Sequence, residues 1–493
     1  MALDSTAVTD PTAHTLWNIT EVIEQHARHH PAGLALILAD RVISYRELMT
    51  SVHSLAHILL SSGVRAGQTL GVSMQQTPVH LMTLLAIARI GAISVPVHPL
   101  LPKERRYLAA RRFGVSLLVS GRPEFQLEGF PFLSLNGVDL TATHPPLPPS
   151  HTLPGDPCWI ALSSGTSGDP KGVLCSHGYL LDRVGKSVYK RTPQSRIMPM
   201  DLNFGTGFGQ SMRMLVAGGA VVLPPDNTPA NQAYMVRSHA VTHWLLSPSM
   251  AEEIAPLLAD DDIHFPALVC LQIVGGTPSK RLVDTLLKRF TPNVMGGYGT
   301  VEIGPISITT PEQLRRVPES SGQLLPWVRA EVVDAQDRPV PPGQTGRLRL
   351  KAAGMLNAYY LDPKLTAERF RDGWFYPQDR ARIDAEGLLY MEGREDDVIN
   401  VSGSKIHFRD VEQVLQAHPA VREAAAFVQR SVTGRDLLAA AIIATQPVPI
   451  EELKRWAAER LGPICPDRLF YVNEFPRTAN GKVLRDKILP PPV

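Results

Sequence analysis

Between residues 69 and 120 the chain alternates short apolar runs with a helical pattern. "TLGVSM" (69–74) precedes "PVHLMTLLAIARIG" (78–91), which is followed by "AISVPV" (92–97) and "SLLVS" (116–120). Continuous apolar runs of this length suit strands buried on both faces. The segment between them carries apolar residues at helical spacing and ends on a glycine, as helices often do. "AVVLPP" (220–225) and "LVCLQIVGG" (268–276) extend the strand series. Alternation on this scale predicts α/β layers with parallel sheets.

The remaining texture divides the chain. "THPPLPPSHTLPGDP" (143–157) reads as an extended connector. From about 325 to 395, runs such as "RAEVVDA" and "GRLRLKA" alternate between turn residues, which predicts a small β-rich subdomain. After Arg394 come two strand patterns, "AAAFVQRS" and "LLAAAIIAT". They are flanked by two helical ones, "DVEQVLQAHPAV" and "EELKRWAAERLG". The first helical pattern sets Val411, Val414, Leu415 and His418 on one face. The expected fold is α/β: a large N-terminal domain (1–394) of layered α/β subdomains plus the β-rich subdomain, then a small α+β domain (395–493). A chain of 493 residues exceeds what one core usually serves.

Charge narrows the function. Lys and Arg number 49 against 47 Asp and Glu, a net charge of +2, so no basic footprint for nucleic acid is present. The four cysteines, Cys158, Cys175, Cys270 and Cys465, lie far apart without metal-ligand spacing, and reduced structural thiols are expected. The first residues show no basic and apolar secretory pattern, and no run of about 18 apolar residues suggests a membrane span. A cytoplasmic enzyme is the expectation.

"LSSGTSGDPKGVLCSH" (162–177) looks built to hold phosphate but is not a Walker loop, because Lys171 follows Pro170 and precedes Gly172. Ser163, Ser164, Thr166 and Ser167 offer hydroxyls, while Gly165 and Gly168 free the backbone to wrap an anion. The composition alone also fits an exposed Ser/Gly linker. "GGYGTVEIG" (296–304) places Tyr298 four residues before Glu302. A tyrosine face can stack on a purine, and a carboxylate can hold a Mg²⁺ that bridges phosphates. Asp379 and Arg394 form an acid–base pair able to grip ribose hydroxyls, and "PRTANGKVLRDK" (476–487) sets Lys482 near the C-terminus.

Together and in this order, these stretches resemble the adenylate-forming superfamily of acyl-CoA synthetases, nonribosomal peptide synthetase adenylation domains and luciferase. The pattern is nearest to free-standing acyl- and aryl-CoA synthetases. The resemblance runs from "ISYREL" (43–48) through "LLAIARIGAISVPVHP" (84–99) to Lys482. It implies ATP and Mg²⁺ as cofactors and a mobile C-terminal domain. Ser163 to Gly168 and Lys171 would cradle the pyrophosphate end of ATP. Gly275, Gly276 and Thr277 would border the adenine, with Tyr298, Gly299 and Thr300 beside it. Glu302 would hold Mg²⁺, and Asp379 with Arg394 would bind the ribose. Asp396 matches the hinge, Lys482 the catalytic lysine, and Gly403 the channel for a pantetheine arm.

Three departures qualify the resemblance. Pro377-Gln378-Asp379 stands where the family usually has Thr-Gly-Asp, and Val301 precedes Glu302 where a threonine is usual. In the acyl-pocket segment, Phe204, Gly205, Thr206 and Gly207, with Gly297 opposite, present no acid to pair with an α-ammonium. That favours an uncharged carboxylic acid over an α-amino acid as substrate. Gly205, Gly207 and Gly209 either widen the pocket or make the segment a flexible loop. The chain ends eleven residues after Lys482, so no fused carrier domain is expected. The acyl group would then pass to CoA or to a separate carrier protein's phosphopantetheine. An amine acceptor is the alternative, and an idle nucleotide- or acyl-binding protein a second one.

Overall fold

Two mostly parallel sheets take up the apolar runs. The computed structural model describes residues 17–145, 147–163, 171–186, 189, 191–258, 263–395, 398–401, 404–430, 436–462, 465–478 and 483–488. The first sheet runs in the order Phe132–Ser134, Leu117–Ser120, Thr69–Val72, Ile93–Pro96, Pro157–Ser163, Lys171–Ser176. Only its last pair is antiparallel. The second sheet orders Val294–Met295, Cys270–Ile273, His243–Leu246, Arg196–Met198, Ala220–Val222, Leu34–Ile37 and Val42–Ser44, again parallel except at its last pair. Each predicted run thus becomes a strand, trimmed to three or four residues in every case.

Helices fill the space between the sheets, and their ends are written locally. Ser44 and Glu47 form a reciprocal capping box on helix Tyr45–Ser61. Thr77 caps helix Pro78–Arg89, whose first residue is the proline that a helix start tolerates best. Gly91, at φ +72°, then turns the chain out of that helix. Leu48, Leu55, Leu81 and Leu85 pack with Val72 of one sheet and Val221 of the other into one apolar cluster. Tyr45, from "ISYREL", is buried and donates its hydroxyl to Leu215 O (2.9 Å) and Gly219 O (2.8 Å). It thereby pins the C-terminal end of helix Gly205–Val216, which carries the segment expected to line an acyl pocket.

The proline-rich connector forms no helix or strand among its described residues before Pro157, and it is strapped down. Buried Arg89 donates to Leu147 O (3.0 Å) and Pro148 O (2.9 Å), and Ser150 N donates to Glu21 Oε1 (2.6 Å). The β-rich region is an antiparallel nine-stranded sheet that opens at Gly297, earlier than the composition near residue 325 suggests. The glycines of "GGYGTVEIG" mask its first hairpin from any strand pattern. Its last strand ends at Arg394, and no described strand after Val398 pairs with one before it.

Beyond that point a three-stranded sheet (Val421–Arg430, Asp436–Ala444, Arg468–Tyr471) packs against helices Phe408–Gln416 and Ile450–Leu461. Val411 and Leu415 are buried as expected, whereas His418 falls past the helix end and accepts from Ala420 N at 3.2 Å. The four cysteines are unpaired thiols, three of them buried. No helix among the described residues is long and apolar enough to cross a membrane.

Helix Gly205–Val216 overturns the notion of a flexible glycine loop. A Cβ on Gly207 would lie 2.2 Å from Asp201 O and 2.4 Å from Met200 O, so this glycine lets the helix seat against backbone. Gly207→Ala is expected to destabilise the protein by about 1–3 kcal/mol. The measurement is a lower urea midpoint at unchanged slope.

Candidate active site

The nucleotide-motif residues meet where three strands of the nine-stranded sheet end. Gly297–Thr300 pairs with Gly304–Ile308 so closely that a Cβ on Gly297 would sit 2.4 Å from Ser307 O. That hairpin presents Tyr298, half-buried, and its hydroxyl donates to Asp379 Oδ2. Asp379 opens strand Asp379–Ile383 and is paired in register with Arg394, the last residue of strand Leu388–Arg394. The Arg394 Nη1 lies 3.6 Å from Asp379 Oδ1. Burial and then the adjacent Asp379 charge push the Tyr298 hydroxyl well above its ordinary value, so it stays a donor. Acid, base and aromatic are thus brought together.

Gln378 resolves one departure from the family pattern. It adopts φ +63°, in the left-handed region where a glycine carries no Cβ penalty. Its carbonyl accepts from Glu395 N at 2.8 Å and its Nε2 donates to Glu368 Oε1 at 3.2 Å, which holds the turn despite the strain. Gln378 thus takes, just before Asp379, a backbone that a glycine adopts without strain.

Glu302 occupies the turn of the hairpin and is buried. Its Oε1 accepts from the Tyr359 hydroxyl at 2.5 Å, and its carbonyl accepts from Leu356 N at 2.9 Å. Thr300 does not stand in for the missing threonine, because its hydroxyl accepts from Ile303 N at 3.3 Å within the turn. Val301 packs 3.5 Å from the Cβ direction of Gly205, and its carbonyl accepts from the Tyr179 hydroxyl at 3.1 Å. Among the described residues no group of three His, Cys, Asp or Glu side chains could enclose a metal. A single carboxylate fits Mg²⁺, which usually takes one or two acids, substrate phosphates and water.

The flanks complete the site. Gly275 (φ +82°) and Gly276 are exposed after strand Cys270–Ile273 and make an open shelf. Thr277, beside them, accepts from Arg409 Nη2 of the C-terminal region at 3.3 Å. On the acyl side, the Phe204 ring lies 5.6 Å from that of His98, whose Nε2 is 3.5 Å from Asp201 Oδ2. Gly205 faces Trp159 and Val301, and Thr206 is exposed. Ser163 ends one strand in register with Lys171, which opens the next, so both ends of the serine-rich loop are fixed. Ser164, Gly165, Thr166, Ser167, Gly168, Asp396, Gly403 and Lys482 lie outside the described residues. Sequence reading missed Tyr359, Tyr179 and Arg183, none of which stands in a motif.

The chain matches the AMP-binding enzyme family model over residues 23–360 and the AMP-binding enzyme C-terminal domain model over residues 410–482. It belongs to the AMP-binding enzyme family. The phosphinothricin tripeptide synthetase PhsC of Streptomyces viridochromogenes is 29% identical over 98% of this chain, which spans only 46% of that protein's length. Indoleacetate–CoA ligase of Aromatoleum aromaticum is 28% identical, over 95% of this chain and 97% of its own length. The amide bond synthetase McbA of Marinactinospora thermotolerans superposes with a TM-score of 0.84 at 25% identity, over 96% of this chain and 98% of its own. Gln378 holds a left-handed backbone conformation in this AMP-binding enzyme. Gln378→Gly is expected to stabilise it by about 0.5–1 kcal/mol, the relief of the left-handed strain less the glycine's added unfolded-state entropy. A raised melting temperature checks this.

Proposed function

We propose that this AMP-binding enzyme activates a small carboxylic acid with ATP and Mg²⁺, forming an acyl-adenylate and pyrophosphate, and then passes the acyl group to a thiol. The convergence of Tyr298, Asp379 and Arg394 beside Glu302 carries the reading. The two clusters adjoin electrostatically, since Glu302 acts on Tyr298 and Arg394 on Tyr359. A carboxylate is a poor electrophile, and attack on an α-phosphate brings two anions together. Mg²⁺, when bound, offsets that repulsion and neutralises charge on the departing pyrophosphate.

Each residue then has a task. Asp379 accepts from the ribose hydroxyls while Arg394 and Tyr298 hold its carboxylate. Tyr359 fixes the Glu302 carboxylate for the cation. Gly275, Gly276 and Thr277 form the adenine shelf, and the loop from Ser163 to Lys171 takes the β- and γ-phosphates. Lys482 supplies the positive charge at the reacting carboxylate and α-phosphate. Residues 395–493 form the mobile domain that carries Lys482 away for the second half-reaction, turning at Asp396, and Gly403 borders the path of the incoming arm.

The full-length likeness to a CoA ligase supports CoA, or a carrier's phosphopantetheine, as acceptor. The likeness to an amide bond synthetase supports an amine as the second reading. Acids of varied size, supplied with ATP and Mg²⁺, test the first half-reaction by pyrophosphate release. Silence from every acid would leave only a nucleotide- or acyl-binding protein. Mass spectrometry with CoA in one arm and mixed amines in the other identifies the acceptor.

Lys482→Ala is expected to slow adenylate formation by at least about 100-fold. Thioester formation from pre-made acyl-adenylate stays largely intact; equal loss of both steps contradicts the role. Asp396→Pro locks φ at the pivot and should impair the second half-reaction selectively. A second half-reaction at the parent rate would remove Asp396 from the hinge.

A further inference from the structure

The near-balance of charge over the whole chain hides a local asymmetry. Helix Lys103–Arg112, "KERRYLAARR", carries a single acid, Glu104, among its lysine and arginines. Two of those cations are committed to the fold. Arg106 is buried and donates to Phe125 O at 3.2 Å, and Arg112 pairs with Asp362 at 2.6 Å. Lys103, Arg105 and Arg111 are exposed, as is Lys364 just past Asp362. Among the described residues none of these four forms an ion pair.

Apolar side chains stand among these cations. Leu100 is 68% exposed, and Leu101, Tyr107 and Leu108 are exposed with it. Leu100 and Leu101 sit in the loop from strand Ile93–Pro96 to the helix, turned by a bond from Leu101 N to His98 O at 3.1 Å. At the far end of the helix, the Arg112–Asp362 pair brings up Leu361, which is 61% exposed. Its φ of +57° lies in the left-handed region that a bulky side chain rarely takes. Leucines thus flank both ends of one basic ridge about 15 Å long.

Protruding leucines among cations suit the boundary between phosphate headgroups and lipid chains. The apolar tips enter the chains while ammonium and guanidinium groups meet phosphate. A second copy of the chain fits poorly, because a two-fold contact would set like charges against one another. Nearby acids are mostly taken: Asp362 by Arg112, Glu124 by Arg122 at 3.7 Å and Glu368 by Arg369 at 3.4 Å. Glu104 is left, with Glu128 two residues before Phe130, whose ring lies 5.6 Å from that of Tyr107.

We propose that this face, from Leu100 to Arg111 together with Leu361, docks peripherally on an anionic lipid surface. The contact brings to the lipid the loop of His98, whose ring lies 5.6 Å from that of Phe204.

Co-sedimentation of the full chain with phosphatidylcholine vesicles, made with and without phosphatidylserine, tests it. Binding to the anionic vesicles should exceed binding to the neutral ones by at least about tenfold, and should fall as salt rises. Arg105→Glu with Arg111→Glu should abolish that preference. Leu100→Ser with Leu101→Ser should weaken binding by about fivefold or more. The substituted side chains are exposed, and an unchanged melting temperature checks that each variant folds. Equal binding to both vesicles, binding to neither, or charge-reversed variants that bind like the parent overturns the proposal. Sedimentation velocity distinguishes the other occupant: a dimer lost in the leucine variants gives this face to a second copy and also overturns it. Should a variant fail to fold, the parent chain on the two kinds of vesicle decides alone.

Discussion

A buried carboxylate at a strand end needs partners, and Asp379 receives them from two other strands of its own sheet. Arg394 comes from the strand paired with it in register, and Tyr298 from the sheet's edge hairpin. The order of strands therefore decides the chemistry at this corner. Slipping one strand by a single residue would turn its side chain to the other face and break the cluster. The antiparallel sheet is in this sense the jig of the site, and the parallel sheets supply the walls around it.

Those walls are placed by ordinary packing. The helix that bears Phe204 to Gly207 is held at one end by Tyr45 and at the other by the close approach of Gly207 to the 200–201 backbone. Neither contact involves a catalytic group. Both fix how far the segment proposed to line the acyl pocket stands from Val301 and the Glu302 turn.

Much of this was legible in the amino-acid order. Apolar runs marked the parallel strands, because burial on both faces leaves little room for polar residues. Two of the three C-terminal strands and their two helices were equally plain, while strand Arg468–Tyr471 was not, and the motifs named Tyr298, Asp379 and Arg394, which the fold brings together. The first hairpin of the antiparallel sheet was not, because Gly297 and Gly299 lie close against backbone and carry no side-chain period. Tyr359 and Arg183 were also hidden. Their partners, Glu302 and Gly354, lie 57 and 171 residues away, and such pairings leave no local signature. Gln378 ran the other way: it looked like a damaged motif, yet it adopts the left-handed backbone that favours a glycine.

The bond from Arg409 to Thr277 has a bearing on timing. It ties the shelf proposed for adenine to helix Phe408–Gln416. Any swing of that region has to release it. In the proposed mobile domain, an occupant of the shelf that alters the Thr277 hydroxyl's hydrogen bonding would shift the balance between docked and released arrangements. A single threonine would then act as a latch, reporting the state of one half of the molecule to the other.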